Sequence, residues 1–423
     1  MRPLTLYRVS APVTDDSHRM TPLERRASAS LAAIFALRML GLFLVLPVFA
    51  LEARHLPGGD DPALIGLAMG LYGLTQALLQ MPLGMASDRW GRKPVILAGL
   101  AVFALGSAMA AWAPSVQWLA AARALQGAGA ISAAVTAFLA DVTRDQVRTK
   151  AMAMVGASIA LMFALSLVLA PWLAARIGLG GLFGLTAALA LGGMALVAWV
   201  VPPEPPQHKD AGRGGLREVL THTGLLRLNL GVFVLHAVQL AMWMVVPALL
   251  VNAGLPAADH WQVYLPAMLV SLLIMGGGLF RLERKGYLRA VFLTAIALIA
   301  LAQIGFVLSE RAPSVPLLAV LLCVFFVGFN TLEASQPSLA SRLAPAAHRG
   351  TALGVYNTLQ SLGFFAGGAV GGWLLRHHGG SAIFLVATAL TLLWLAVAWG
   401  MAPQASRASP GHTLDRKPTM DAK

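Results

Sequence analysis

Apolar segments separated by short polar turns run almost without interruption from residue 28 to residue 401. Twelve can be marked off, at 28–52, 62–87, 93–113, 116–140, 149–174, 179–201, 225–251, 261–280, 287–308, 314–341, 350–374 and 381–401. Each holds about 20 residues or more, enough for a helix rising ~1.5 Å per residue to cross a hydrocarbon layer of roughly 30 Å. The pattern predicts an all-α membrane protein of twelve transmembrane helices.

One break groups the spans. Pro202-Pro203-Glu204-Pro205-Pro206 closes span 6, and polar, glycine-containing sequence continues to Gly224. Proline cannot continue a helix, so this stretch reads as a linker. The predicted organisation is a cytoplasmic N-terminal segment (1–27), a six-helix bundle (28–201), a cytoplasmic linker (202–224), a second six-helix bundle (225–401) and a cytoplasmic tail (402–423). The halves echo each other at an offset near 200. Leu46-Pro47-Val48 ahead of Leu56-Pro57 matches Val246-Pro247-Ala248 ahead of Leu255-Pro256, and Leu139-Ala140 matches Leu339-Ala340. Weak internal symmetry of this kind predicts two pseudo-symmetric bundles that rock against each other.

Composition agrees. The chain is 58% hydrophobic and only 12% charged, about half the charged share of a soluble domain. The single cysteine, Cys323, excludes an internal disulfide and reads as a small core residue. A net charge of +13 raises the question of nucleic acid, and the placement of the charge answers it. Of 31 Lys and Arg, 25 fall on the side of the N-terminus and four on the other side (Arg54, Arg176, Arg311, Arg376). That bias follows the positive-inside rule and places both termini in the cytoplasm. The basic excess faces lipid headgroups and requires no nucleic-acid partner. Residues 1–27 are polar and lack the apolar core of a signal peptide. Met20-Thr21-Pro22-Leu23-Glu24-Arg25-Arg26 reads as a natural start, so residues 1–19 are expected to be a disordered extension or an over-called start.

A charge inside a span costs at least about 2.5–3.5 kcal/mol, so each one needs a reason. Arg38 lies in span 1, Arg123 and Gln126 in span 4, His236 and Gln239 in span 7, and Asn330, Glu333 and Gln336 in span 10. Span 11 adds Tyr356, Asn357 and Gln360. These are the first and fourth helices of each half, plus one neighbour. The set predicts a wet central cavity lined by Arg38, His236, Gln239, Asn330, Glu333, Tyr356, Asn357 and Gln360; taken singly, the amides could equally be interhelical glue. Glu333 is the one acid well inside a span. It is the leading proton-carrier candidate, with Asp88 behind it; the competing reading is a permanent ion pair with Arg38 or Arg123.

Between spans 2 and 3 lies Gly84-Met85-Ala86-Ser87-Asp88-Arg89-Trp90-Gly91-Arg92-Lys93. A topogenic loop needs positive charge but not this order. Asp88 ends span 2 and Asp141 ends span 4 on the same side, close to Arg89, Arg92 and Lys93, so Asp88, Arg92 and Asp141 can form one charge-assisted network within this latch segment. Gly84 and Gly91 permit close helix approach and a sharp turn. The network reads as a conformational latch favouring the outward-facing state.

The spacing G-x-x-x-D-R-x-G-R-K resembles the signature loop of the major facilitator superfamily. Arg123-Ala124-Leu125-Gln126-Gly127-Ala128-Gly129-Ala130 is similar to that family's fourth-helix motif, centred on Arg123, Gln126 and Gly127. The resemblance links that motif with proton-coupled transport. The fifth-helix antiporter pattern is only partly met, since Ala170 precedes Pro171 where glycine is usual. Arg38-Met39-Leu40-Gly41 through Val48, with Ile65-Gly66 and Tyr72-Gly73-Leu74-Thr75-Gln76-Ala77, resembles the YajR-type transporters of bacterial inner membranes, over a stretch from about Met20 to Trp399. Some of those carry a soluble C-terminal domain, which the short polar tail here is not expected to form.

These observations imply an inner-membrane secondary transporter working by alternating access. The leading expectation is proton-coupled efflux of small amphipathic or drug-like molecules, and the alternative is proton symport of a polar metabolite. No cofactor or metal is expected beyond the proton gradient. The expected partners are the small-molecule substrate and the bilayer, with the protein acting as a monomer. A membrane-embedded enzyme is the third reading. It is disfavoured because the ten histidines are scattered and there is neither H-E-x-x-H nor G-x-S-x-G, so no catalytic residue is assigned. No lysine follows a glycine, so no P-loop can be written.

Overall fold

The computed structural model describes residues 19–204, 216–345 and 348–400, and no strand occurs among them. The outer parts of the predicted N-terminal segment (1–18), the middle of the linker (205–215) and the tail beyond 400 lie outside the described residues.

Among the described residues, ten helices are long and apolar enough to cross a membrane. One of them, Asp145–Trp199, is two helices joined at Gly178, whose φ of +65° turns the chain between spans 5 and 6. Arg349–His378 is a further 30-residue helix whose many glycines and polar residues dilute its hydropathy. The twelve spans of an all-α membrane fold result. They are span 1 (Pro22–Glu52), span 2 (Pro62–Trp90), span 3 (Arg92–Ala111), span 4 (Val116–Ala128 and Ser132–Asp141), spans 5 and 6 (Asp145–Trp199), span 7 (Thr223–Trp243 and Val246–Asn252), span 8 (Trp261–Ile274 and onward), span 9 (Leu288–Ser309), span 10 (Val315–Leu343), span 11 (Arg349–His378) and span 12 (Gly380–Trp399).

Local signals set the boundaries. Span 1 begins at Pro22, six residues ahead of its apolar stretch. Thr21 caps it: the Glu24 N–H donates to the Thr21 hydroxyl, and the Glu24 carboxylate takes the Thr21 N–H. This reciprocal box satisfies two of the otherwise orphaned donors of the first turn. Span 4 breaks at Gly129, and span 7 breaks ahead of Pro247, which cannot donate to the preceding turn.

The spans form two six-helix bundles. In the first, span 1 packs on the Asp145–Trp199 helix, span 2 on span 4, and span 3 on both. In the second, span 7 packs on spans 11 and 12, span 8 on span 10, and span 9 on spans 10 and 12. The two bundles meet chiefly where span 2 lies along span 11.

Exposed tryptophans mark two levels. Trp90, Trp199 and Trp399 ring the end that carries the Asp88 loop, here called the basic end; Trp112, Trp118, Trp172 and Trp373 ring the opposite end. Paired girdles of this kind are expected where amphipathic rings meet the two membrane–water boundaries.

The bundles are pressed together at the opposite end. Gly66, Gly70 and Gly73 make one stripe of span 2 and face Ser361, Phe365, Gly368 and Gly372 of span 11. A methyl group on Gly66 would run into the Gly368 carbonyl, and one on Gly372 would sit 2.6 Å from the Pro62 carbonyl. Backbones this close gain dispersion contacts along their whole length. Beyond them Arg376 Nη1 meets Asp61 Oδ2 at 2.7 Å, tying the halves at that rim. Towards the basic end the helices part. A methyl group on Gly354 would find only the flexible tip of Met81, at 3.9 Å.

Candidate functional site

At the basic end Gly91 takes φ +98°, which reverses the chain from span 2 into span 3 and points Arg92 back under the helix ends. Arg92 Nε donates to Asp141 Oδ2 at 2.8 Å, and Nη1 donates to Ser87 Oγ at 2.7 Å and to the Asp88 carboxylate. Gly84 lets span 2 approach the second helix of span 4, its added methyl falling 3.2 Å from Ala133 Cβ. Arg92, Asp88 and Asp141 are therefore brought together as their spacing suggested. Arg89 is exposed and forms no ion pair among the described residues, and Lys93 reaches the Val201 carbonyl at 2.7 Å rather than a carboxylate. The Asp88 side chain is 52% exposed. An ion pair so open to water contributes roughly 0–1 kcal/mol, too little to decide the fold, and all of its members belong to the first bundle.

Glu204, which the sequence reading assigned only to the linker, completes this network. Its carboxylate takes the backbone N–H groups of Arg92 at 2.8 Å and Lys93 at 2.5 Å. Those are orphan donors at the positive end of span 3, where an anion is favoured. The first residues of the connection between the halves are thereby clipped to the loop that holds the latch.

A second clamp lies beside it. Arg144, just after span 4, donates to Glu24 through Nε at 2.8 Å, Nη2 at 3.0 Å and its backbone N–H at 3.0 Å. Glu24 precedes the apolar stretch of span 1. The Arg144 hydrogen bond outweighs the cost of burial and holds the Glu24 carboxyl down to about 2.

Inside the first bundle, Gly127 and Gly129 allow span 4 to press on spans 2 and 3. A methyl group on Gly127 would collide with the Tyr72 carbonyl, and one on Gly129 would lie 2.9 Å from Phe103. Arg123 Nη1 donates to Gln126 Oε1 at 2.7 Å, and Gln126 Nε2 donates to Ser107 Oγ at 2.7 Å. The Arg123 guanidinium lies 4.7 Å over the Tyr72 ring, and Arg38 Nη2 donates to the Tyr72 hydroxyl at 2.9 Å. Both arginines are buried, and no carboxylate among the described residues pairs with either. Tyr72 enters the sequence reading only through the resemblance, and Ser107 not at all.

Inside the second bundle, His236, Glu333 and Gln360 converge from spans 7, 10 and 11. His236 Nε2 lies 3.3 Å from Glu333 Oε2. Gln360 Nε2 lies 2.8 Å from the same ring nitrogen and donates to Glu333 Oε1 at 3.4 Å. His236 Nδ1 faces the Val232 carbonyl at 2.9 Å. A carbonyl only accepts, so Nδ1 carries a hydrogen. The Glu333 side chain is 37% exposed and that of His236 only 2%. The acid thus pairs with a histidine, not with Arg38 or Arg123. The other cavity candidates do not join this group by hydrogen bonds. Asn330 donates to Ser271 Oγ at 2.8 Å and ties span 10 to span 8. Gln239 and Tyr356 are buried, while Asn357 on span 11 is half-buried. Arg38 is sealed within the first bundle.

Two six-helix bundles, with a charged network at one end and a histidine–carboxylate group within the second, are the architecture of a membrane transporter. The chain belongs to the Major Facilitator Superfamily, whose profile matches residues 29–367 and 281–419. It is 44% identical over 387 residues to the inner membrane transport protein YajR of Escherichia coli (strain K12), covering 90% of this chain and 85% of that one. Multidrug resistance protein MdtH of Proteus mirabilis is 28% identical over 366 residues, covering 79% of this chain and 84% of its own. Among solved structures, the D-xylose-proton symporter superposes with a TM-score of 0.71 at 15% identity over 89% of this chain and 98% of its own, a likeness of fold alone.

Proposed function

We propose that the protein exports small amphipathic molecules in exchange for protons. The His236–Glu333–Gln360 group carries this reading. With Nδ1–H committed to Val232, neutral His236 presents only a lone pair at Nε2, where Glu333 Oε2 stands 3.3 Å away without a hydrogen bond of its own. Two acceptors at that distance repel unless a proton binds one of them. The pair therefore works as a one-proton store. Gln360 bridges both members, so movement of span 11 changes the balance between the protonated and empty forms. The acid side chain is 37% exposed, which leaves it open to both cargo and proton.

The basic end faces the cytoplasm of a bacterium, with both termini inside and the bilayer as the inner membrane. The state described is then shut on the periplasmic side. When the cytoplasmic side shuts instead, the start of span 11 swings towards the end of span 2. There the Asp88 carboxylate, held by Arg92, meets the positive end of a helix and favours that outward-facing state. The protein works as a monomer, uses no cofactor and makes no covalent change in its cargo. Kinship with a multidrug resistance protein supports export over uptake.

Purified protein in proteoliposomes with an imposed pH gradient tests this. Lipophilic test compounds should accumulate against their gradient on the side of higher proton concentration, and a protonophore should abolish that. Accumulation indifferent to the protonophore refutes proton exchange.

A further inference from the structure

We propose that Phe163 is an aromatic wedge that holds the transporter in the state closed at the opposite end, the counterpart of the charged latch at the basic end. This rests on the alternating-access part of the reading above and not on proton coupling.

The ring of Phe163, on span 5, is buried and belongs to both halves at once. Its centroid lies 5.1 Å from that of Phe43 on span 1 of its own bundle. It lies 6.2 Å from both Phe326 and Phe329 on span 10 of the other. Phe329 also stacks on Phe325 at 5.9 Å, which braces the surface that receives the wedge. A ring that only filled a core would touch its own bundle. This one crosses the seam that must open.

Register places the seam. Span 10 runs from the opposite end at Val315 to the basic end at Leu343, and span 11 runs the other way from Arg349. Phe329 is therefore one turn from Glu333 towards the closed end, about 6 Å at ~1.5 Å per residue, and Phe364 is one turn from Gln360 in the same direction. Both rings flank His236, at 5.9 and 4.9 Å. The aromatic layer thus roofs the polar group; the glycine contact of spans 2 and 11 begins at the same level, with Gly73 on Ser361 and Phe364, and runs outward to the Asp61–Arg376 tie. Opening that end separates spans 1 and 5 from span 10 and pulls Phe163 from between Phe326 and Phe329. The contacts it makes across the seam exist in one state only, so they bias the equilibrium towards it.

The test uses full-length protein with Cys323→Ala and spin labels at positions 54 and 311. Both are exposed and sit at the opposite end of different halves. Distance distributions are measured without substrate at one pH. Phe163→Ala should raise the ratio of open to closed conformers at that end roughly tenfold, as expected for losing a few aromatic pairs. Phe326→Ala should do the same, and the double variant should add little to either. Phe163→Leu keeps most of the volume, covers the case in which the alanine variant fails to fold, and should shift the ratio in the same direction by less. Unchanged distributions in folded Phe163→Ala, or in Phe163→Leu where that is the variant that folds, overturn the proposal. The same labels in Glu333→Gln separate the two claims. A wedge effect that persists there stands whether or not Glu333 carries a proton, and one that vanishes there refutes a wedge independent of the acid.

Discussion

Glu333 faces His236 across 3.3 Å between spans 10 and 7, although the chain offers two buried arginines as partners. Pairing with an arginine would have fixed the acid in one charge state, because guanidinium does not release its proton in proteins. A histidine ring nitrogen can either accept or donate at the acid. The two arginines instead share Tyr72, one on its hydroxyl and one on its ring face. That division leaves a polar, acid-free core in the first bundle and a protonatable group in the second.

The latch should be separable from the fold. Asp88→Asn or Arg92→Ala should leave membrane insertion and thermal stability nearly unchanged while slowing transport. A network favouring one state by about 1–3 kcal/mol shifts its population roughly 5–150-fold. Wild-type transport rates in both variants, with normal yields, would show that the loop is only topogenic.

Glu204 should act through Arg92. Glu204→Ala removes the acceptor for two backbone donors and should lower stability by about 0.5–2 kcal/mol, as loss of a helix cap does. Added to Asp88→Asn it should weaken transport little beyond Asp88→Asn alone, because both changes disable one network. Full additivity of the two transport defects would separate the linker from the latch.

Accessibility should divide the polar residues. In the Cys323→Ala background, cysteine at position 357 or 360 should react with small water-soluble thiol reagents, since both positions are half-buried at the gap between halves. Cysteine at position 38 should be protected, because Arg38 is enclosed by Tyr72, Gly129 and Ser132. Equal protection of all three would mean that the polar group at Glu333 is sealed from water.

The Glu24–Arg144 clamp predicts a pH dependence. The Glu24 carboxyl is depressed in the folded protein, from about 4.5 to about 2. Its contribution to stability is therefore complete above its unfolded value and is lost as pH falls from about 4.5 towards about 2. The difference in melting temperature between wild type and Glu24→Gln should be constant from neutral pH to about 5 and shrink below about 4.5. A difference that grows on acidification contradicts the clamp.

The spans were legible because a helix in lipid must be apolar over a fixed length, and that needs no partner to be recognised. The latch was legible because Gly84, Asp88, Gly91 and Arg92 lie within nine residues and meet through one turn. Asp141 could be added because span lengths put its helix end on the same side. Glu204 could not, since more than a hundred residues and four spans separate it from Arg92 and proline masks its capping role. The same limit hid the choice of partner for Glu333. Sequence placed His236, Arg38 and Arg123 each inside a span, and only the packing of spans 7, 10 and 11 brings the first to the acid. Asn330 shows the converse: polarity within a span marked it as a cavity residue, yet its amide is spent on Ser271 as interhelical glue.

In the proposed mechanism His236 and Glu333 store the proton that drives transport. Glu333→Gln, which imitates the protonated acid in size, tests it most directly in proteoliposomes under an imposed pH gradient. Uphill, pH-driven transport should be lost while substrate exchange at equal pH and protein yield are retained. Full pH-driven accumulation by a stable Glu333→Gln protein would contradict it.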